Sequence, residues 1–241
     1  AVTGAAAQVV HMTSSAVRAM DTALAMLDGA RAHGIDLAAD VYPYLANSTN
    51  LASAIYDPGW EERFGGITYS DIELVETGER LTKETFEKYR REGAQVITHF
   101  IPEEGVLAAY RHPQVMVASD GIIRRGKGHP RGAGTFARFL GYYVREKKVV
   151  PLMEGLRKVT LLPAQRLERA APVMKRKGRV QVGADADLTI FDPNTIIDRA
   201  TYENSAQYSA GIYYVLVAGQ VVVDQGKLVE GVKPGQAIKH E

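Results

Sequence analysis

The chain has 241 residues, room for one large domain or one and a half ordinary ones, and its 46% hydrophobic and 24% charged content is ordinary for a soluble globular protein. Its net charge of +1, from 29 basic and 28 acidic residues, gives no electrostatic footprint for nucleic acid or a membrane surface. It has no cysteine and no apolar run of about 18 residues, which excludes disulfides, thiolate metal ligands and a transmembrane helix, and fits a reducing, cytoplasmic compartment.

The opening residues, Ala1 to Val10, carry no Met start and no signal-peptide pattern, so the chain is expected to begin inside something larger. Gln8-Val9-Val10 is short and β-branched and reads as a buried strand ending on His11. Ser14 or Ser15 can cap the next segment, a helix expected over 16–33 from Val17, Met20, Leu24 and Leu27 at helical spacing. His33-Gly34 closes it, and residues 35–42 read as a second strand. Strand, helix, strand is the βαβ pattern of a parallel sheet.

Residues 45–93 break this rhythm with turn chemistry at Asn47-Ser48-Thr49-Asn50, Asp57-Pro58-Gly59 and Gly65-Gly66. One short helix is expected from Thr82 to Arg91, with Thr82 and Thr85 competing as caps. The stretch reads as an insertion over one face of a barrel. Regular order returns with a strand at 94–100, a helix at 102–110 and a strand at 115–119 that ends on Asp120-Gly121. A loop rich in Gly and Arg fills 121–134, and helices are expected near 135–148, 151–158 and 163–169. Beyond a boundary near 175, short strands at 178–183, 187–192, 211–218 and 220–223 make a small β domain, with a hairpin turn at Ala218-Gly219. The basic run Lys175 to Arg179 reads as a solvated turn before a strand.

Two polar residues stand at strand ends, His11 and Asp120. In α/β barrels, catalytic groups cluster at the C-terminal ends of strands. Each also has a plainer reading: a hydrogen-bonded structural His, and an Asp-Gly turn. Arg124, Arg125, Lys127, His129 and Arg131 follow Asp120 closely. Such a cluster suits an anionic substrate, because Arg grips a carboxylate in a bidentate way; the plainer reading is an exposed basic loop.

His129-Pro130-Arg131-Gly132-Ala133-Gly134-Thr135-Phe136 resembles a segment of the N-acyl-D-amino-acid deacylases, the D-aminoacylases of the amidohydrolase superfamily. Asp40-Val41-Tyr42-Pro43-Tyr44 with Ser48-Thr49 and Leu51 is similar to the same branch. Lys158 to Leu167 resembles its post-barrel helix, and Gly178-Arg179-Val180 with Gly183-Ala184-Asp185-Ala186-Asp187-Leu188 resembles the superfamily's β-domain signature. Gly211 to Gly219 is similar to the strand pair that completes it.

The resemblance implies the C-terminal half of a (βα)8 TIM-like barrel over 1–174, with the insertion at about 45–93, followed by a small β-sandwich over 175–241. It implies hydrolysis of an amide in an N-acyl (D-)amino acid. His11 matches a metal ligand, and Asp120 matches a residue that both touches the metal and serves as general acid/base. Arg131 and one of Tyr42 and Tyr44 match residues that hold the substrate's carboxylate, with His129 and Ser48 beside them. The implied cofactor is zinc, one or two ions.

Two departures qualify this. Thr13 stands where the branch often has Lys, which opens other acyl-amide or dipeptide-like substrates. No His-x-His motif is present among the six histidines, His11, His33, His99, His112, His129 and His240. A catalytic zinc needs about three protein ligands, and the chain offers His11 and Asp120, with His99 as a third ligand or a pocket or packing residue. Four barrel-like strands are expected, near 8–10, 36–42, 95–100 and 115–119, where a closed barrel needs eight. A second polypeptide is therefore expected to supply the N-terminal half and the missing ligands, with a small-molecule amide as the other partner and a higher oligomer compatible with both. Other readings are a cyclic-amide hydrolase of dihydroorotase or hydantoinase type, a D-dipeptidase, or a non-catalytic subunit that completes a barrel.

Overall fold

The computed structural model describes residues 3–239, so His240 lies outside the described residues. Strand β1 (Ala7–Val9) leads into a five-residue helix, α1 (Met12–Ala16), and then a longer one, α2 (Met20–Ala32). The helix expected over 16–33 is α2, which starts four residues later (20 − 16), and α1 is a separate short helix ahead of it. The chain turns at Val17, whose φ of 48° lies in the left-handed region, disfavoured for a β-branched side chain. The apolar spacing hid the break because Val17, at the turn, and Met20, after it, are both buried. Strand β2 (Leu37–Val41) pairs parallel with β1, Ala7 opposite Leu37, completing the βαβ unit.

The insertion has more structure than its composition suggests. Strand β3 (Ala46–Asn50), helix α3 (Trp60–Arg63), strand β4 (Ile72–Leu74) and helix α4 (Lys83–Glu92) lead to strand β5 (Gln95–His99). Thr82 and Thr85 do not compete: they form the two halves of one capping box. Strand β5 pairs antiparallel with β3 and β4, so it is not a fourth strand of the parallel sheet. This small sheet has its own core of Leu51, Tyr56, Trp60, Ile72, Phe86 and Val96.

Helix α5 (Glu103–Arg111) returns the chain to β6 (Val115–Val117), which lies parallel on the far side of β2, Ala39 opposite Val115. The parallel sheet therefore runs β1-β2-β6. The following segment is not all loop. Strands β7 (Ile123–Arg124) and β8 (Lys127–Gly128) make a hairpin, and α6 (Arg131–Arg138) begins four residues earlier than expected (135 − 131) and continues as a π-helical stretch to Glu146. Pro130, with φ −56°, presets the helical backbone at its start. Helices α7 (Leu152–Val159) and α8 (Leu161–Leu167) follow. The main core joins Ala39, Val41 and Val115 of the sheet to Leu24, Val106, Tyr110, Phe139 and Tyr143.

Lys177, in the basic run, reaches Asp185 at 3.0 Å and also pairs with Asp187, while Arg179 pairs with Glu168. The strand expected at 178–183 is absent, and Val180 and Val182 are fully exposed. Strands β9 (Leu188–Phe191), β10 (Ile212–Val217), β11 (Gln220–Asp224) and β12 (Lys227–Leu228) form an antiparallel sheet in the order β12-β11-β10-β9. Ala218 and Gly219, with φ of 49° and 78°, make its central hairpin turn, the positive φ pair that a tight hairpin demands. Among the described residues, no helix is long and apolar enough to cross a membrane.

Candidate functional site

The site begins where β1 and β2 end. Asp40 is buried in β2, and its carboxylate accepts hydrogen bonds from the His11 backbone N–H and from Gln8 Nε2, both at 2.8 Å. These bonds hold His11 in a left-handed conformation, φ 39° and ψ 49°, which a non-glycine residue adopts only when its surroundings fix it. The imidazole Nδ1 lies 2.9 Å from Ser14 Oγ, one turn ahead in α1.

Asp120 follows β6 with φ 46°. The turn after it is pressed against the first turn of α6: a Cβ on Gly121 would stand 2.2 Å from the Cα of Gly132. This close approach brings Arg131 to Asp120, Nη2 to Oδ2 at 2.8 Å. The same Nη2 donates to the Ser48 carbonyl at 3.2 Å, and the guanidinium lies 4.4 Å from the centre of the Tyr42 ring. Arg131 is 4% exposed, yet its Nε and Nη1 are buried without a hydrogen-bond acceptor. Buried unmatched donors cost about 1–3 kcal/mol each, so they mark a place where an acceptor belongs.

Tyr42 and Tyr44 part company. Alternation along the chain puts them on the same side, but Pro43 redirects the backbone after β2 ends. Tyr42 lines a cavity of about 500 Å³ together with His11, Ser48, Asp120, His129 and Arg131. Its hydroxyl is buried and unpartnered, and burial pushes its pKa up to about 12 against the opposing pull of Arg131. The Tyr44 hydroxyl donates instead to Asp198 Oδ2 at 3.0 Å, and burial followed by the Asp198 charge drives its pKa far up. Tyr44 is not among the residues lining the cavity.

His129 is 1% exposed, and both ring nitrogens are engaged. Nδ1 accepts from the Arg131 backbone N–H at 3.0 Å, so Nε2 carries the proton and donates to the Ala46 carbonyl at 3.0 Å. Burial, then the Arg131 charge, holds its pKa well below the usual value. His129 offers the cavity a ring face and no free polar atom. Ser48 presents its main chain to Arg131 and its hydroxyl to Gln95 Nε2 at 3.0 Å. Arg124, Arg125 and Lys127 are exposed on the β7–β8 hairpin and do not line the cavity.

Two residues with metal-ligating chemistry thus face one cavity, His11 and Asp120. The imidazole Nε2 and the Asp120 carboxylate suit zinc. No group of three His, Cys, Asp or Glu side chains able to hold a metal occurs among the described residues, so the donor set is partial. His99 does not add to it: its Nε2 lies 3.1 Å from Glu73 Oε2, and its ring packs on Tyr202. Three contributors escaped the sequence reading. Asp40 stood out only as the first residue of the Asp40-Val41-Tyr42-Pro43-Tyr44 segment, Ser14 only as a helix cap, and Asn47, whose buried Oδ1 lacks a partner at the cavity wall, only as a turn residue.

A family model described as amidohydrolase family matches residues 71–223. The chain is 35% identical over 226 residues to the N-acyl-D-glutamate deacylase of Alcaligenes xylosoxydans xylosoxydans, covering 90% of this chain and 44% of that protein. It is 33% identical over 193 residues to the D-aminoacylase of the same organism, covering 78% of this chain and 39% of the relative. Among solved structures, the N-acyl-D-glutamate deacylase of Bordetella bronchiseptica, complexed with zinc and a phosphonate mimic of the tetrahedral intermediate, superposes with a TM-score of 0.82 at 33% identity, over 99% of this chain and 50% of that one. The chain spans about half the length of the relatives it matches.

Proposed function

The chain belongs to the amidohydrolase family, and from that premise we propose that it supplies the Asp120 and His11 side of a zinc site that hydrolyses N-acyl-D-amino acids, N-acyl-D-glutamate first among them. The observation that carries this is the meeting of His11, Asp120 and an Arg131 with unmatched donors on one cavity. Relatives named for deacylation of D-glutamate and for D-aminoacylase activity support the substrate class.

In this reading, the β1-β2-β6 sheet and its helices, within residues 1–174, are part of a (βα)8 barrel. The β9–β12 sheet, within 175–241, is part of a small β-sandwich beside it. Strands β1 and β6 each have one edge unpaired among the described residues, an arrangement proteins ordinarily cover. Polypeptide outside this chain, a second chain in our proposal, covers them and brings the remaining metal ligands.

The roles follow from the geometry. His11 would hold zinc, one ion or one of two, together with Asp120. Zinc, when bound, polarises the amide carbonyl and acidifies the attacking water. Asp120 takes the proton of that water and delivers it to the leaving nitrogen. Arg131 and Tyr42 receive the substrate's carboxylate on donors that have no other partner. Thr13 is fully buried and brings no cation to this task, which leaves Arg131 as the principal grip. Ser48 and His129 fix the Arg131 side of the wall. The lack of cysteine agrees with a cytoplasmic setting.

The test is turnover of N-acetyl-D-glutamate, N-acetyl-D-aspartate and N-acetyl-D-leucine, with their L-enantiomers, by the zinc-loaded protein. Asp120→Asn is expected to lower kcat by about 10²- to 10⁴-fold. Wild-type turnover by this variant with zinc still bound overturns the assignment, and it would favour a non-catalytic subunit.

A further inference from the structure

His11 is held at three points, and one of them decides which ring nitrogen can bind a metal. Ser14 Oγ lies 2.9 Å from His11 Nδ1 and 2.9 Å from the His11 carbonyl oxygen. A serine hydroxyl has one proton and two lone pairs. A carbonyl oxygen can only accept, so the bond to it consumes that proton. With that proton on the carbonyl, which also accepts from the Ser14 backbone N–H at 3.0 Å, the contact with Nδ1 runs the other way, Nδ1–H donating to Ser14 Oγ. Nε2 is left with its lone pair, and it makes no hydrogen bond to any described residue.

We propose that Ser14 is a positioning residue that locks His11 in the Nδ1–H tautomer and so commits Nε2 to the zinc. The proposal rests on the reading of His11 as a zinc ligand. A ligating histidine commonly gives its other N–H to a carboxylate, a backbone carbonyl or water, which sets tautomer and ring orientation. Here the acceptor is a hydroxyl whose own proton is tied to the backbone of the same histidine. The loop closes within one turn of α1, while Asp40 fixes the same residue through its N–H. A tautomer set this locally does not depend on the remaining metal ligands being present.

The experiment uses 15N-histidine-labelled assembled protein, stripped of metal, at a pH where His11 is neutral. Long-range 1H–15N spectra are expected to show His11 with its proton on Nδ1. Ser14 is half-buried and these two hydroxyl contacts are local to the first turn of α1, so Ser14→Ala should keep the fold. It should also mix the two tautomers and weaken zinc binding by about 10- to 100-fold in a chelator competition. Ser14→Thr should restore both. A wild-type His11 protonated on Nε2, or a Ser14→Ala variant with an unchanged tautomer and unchanged zinc affinity, overturns the proposal. His11→Ala separates the two readings. If it binds zinc as the wild type does, His11 is not a ligand, while the spectra still report whether Ser14 sets its tautomer.

Discussion

Two glycine-to-alanine substitutions should act in opposite directions, because one glycine keeps two backbones together and the other keeps nothing apart. A Cβ on Gly121 meets Gly132 Cα at 2.2 Å and Gly132 N at 2.6 Å. Both are main-chain atoms at the start of α6, so no side chain can swing aside. Overpacking of this kind costs about 1–3 kcal/mol. At roughly 2–4 °C per kcal/mol for a chain of this size, Gly121→Ala should lower Tm by about 2–12 °C. Gly29 lies on the exposed face of α2, where an added Cβ has no atom within 4 Å, and Gly29→Ala should stabilise by about 0.4–1 kcal/mol. The functional effect is the sharper one. Pushing α6 away from Gly121 pulls Arg131 from Asp120, now 2.8 Å apart, and a shift of about 1 Å in a reacting constellation costs about 10²-fold in rate. Differential scanning calorimetry and kcat/KM on N-acetyl-D-glutamate measure both. A Gly121→Ala protein as stable and as active as the wild type would refute the claim that this contact builds the site.

Three further outcomes are expected. Tyr42→Phe should leave stability nearly unchanged, since its hydroxyl has no partner, but raise KM; Tyr44→Phe should cost about 1–3 kcal/mol in urea unfolding and leave KM alone, since Asp198 loses a hydrogen bond to its charged group and, among the described residues, keeps only Arg138 at 3.5 Å. Arg131→Lys should weaken binding of carboxylate-bearing substrates by about 10- to 100-fold, because an ammonium cannot replace the planar fork, and steady-state KM reads this. His129 supplies the pH dependence. Its folded pKa lies well below the unfolded value of about 6.5, so below that pH the unfolded chain takes a proton that the folded one refuses. Its contribution is therefore whole above about pH 6.5 and declines by up to about 1.4 kcal/mol per pH unit below it. Urea midpoints at pH 7.5, 6 and 5 should show this slope, and His129→Gln should flatten it.

What the sequence disclosed depended on whether local pattern or tertiary pairing decides the element. Strands β2 and β6 and helix α4 were legible because burial sets their periodicity and Thr82 caps α4. Strand β3 was not: Ala46-Asn47-Ser48-Thr49-Asn50 has the residues of a turn, and only pairing with β5 makes it a strand. The same pairing removed β5 from the parallel sheet. At 178–183 the reverse occurred, because Val180 and Val182 alternate like a strand but find no partner among the described residues. In the cavity, His11 and Asp120 were visible as polar residues at strand ends. Asp40 and Ser14 were not, because their roles exist only once the backbone at His11 turns left-handed.

The central claim is that His11 and Asp120 are part of a zinc site completed by polypeptide outside this chain. Native mass spectrometry of the protein purified without chelators tests it most directly. The expected result is this chain in complex with a second polypeptide, carrying one or two zinc ions and active on an N-acyl-D-amino acid. This chain found alone, free of zinc and still hydrolysing that substrate, would contradict it.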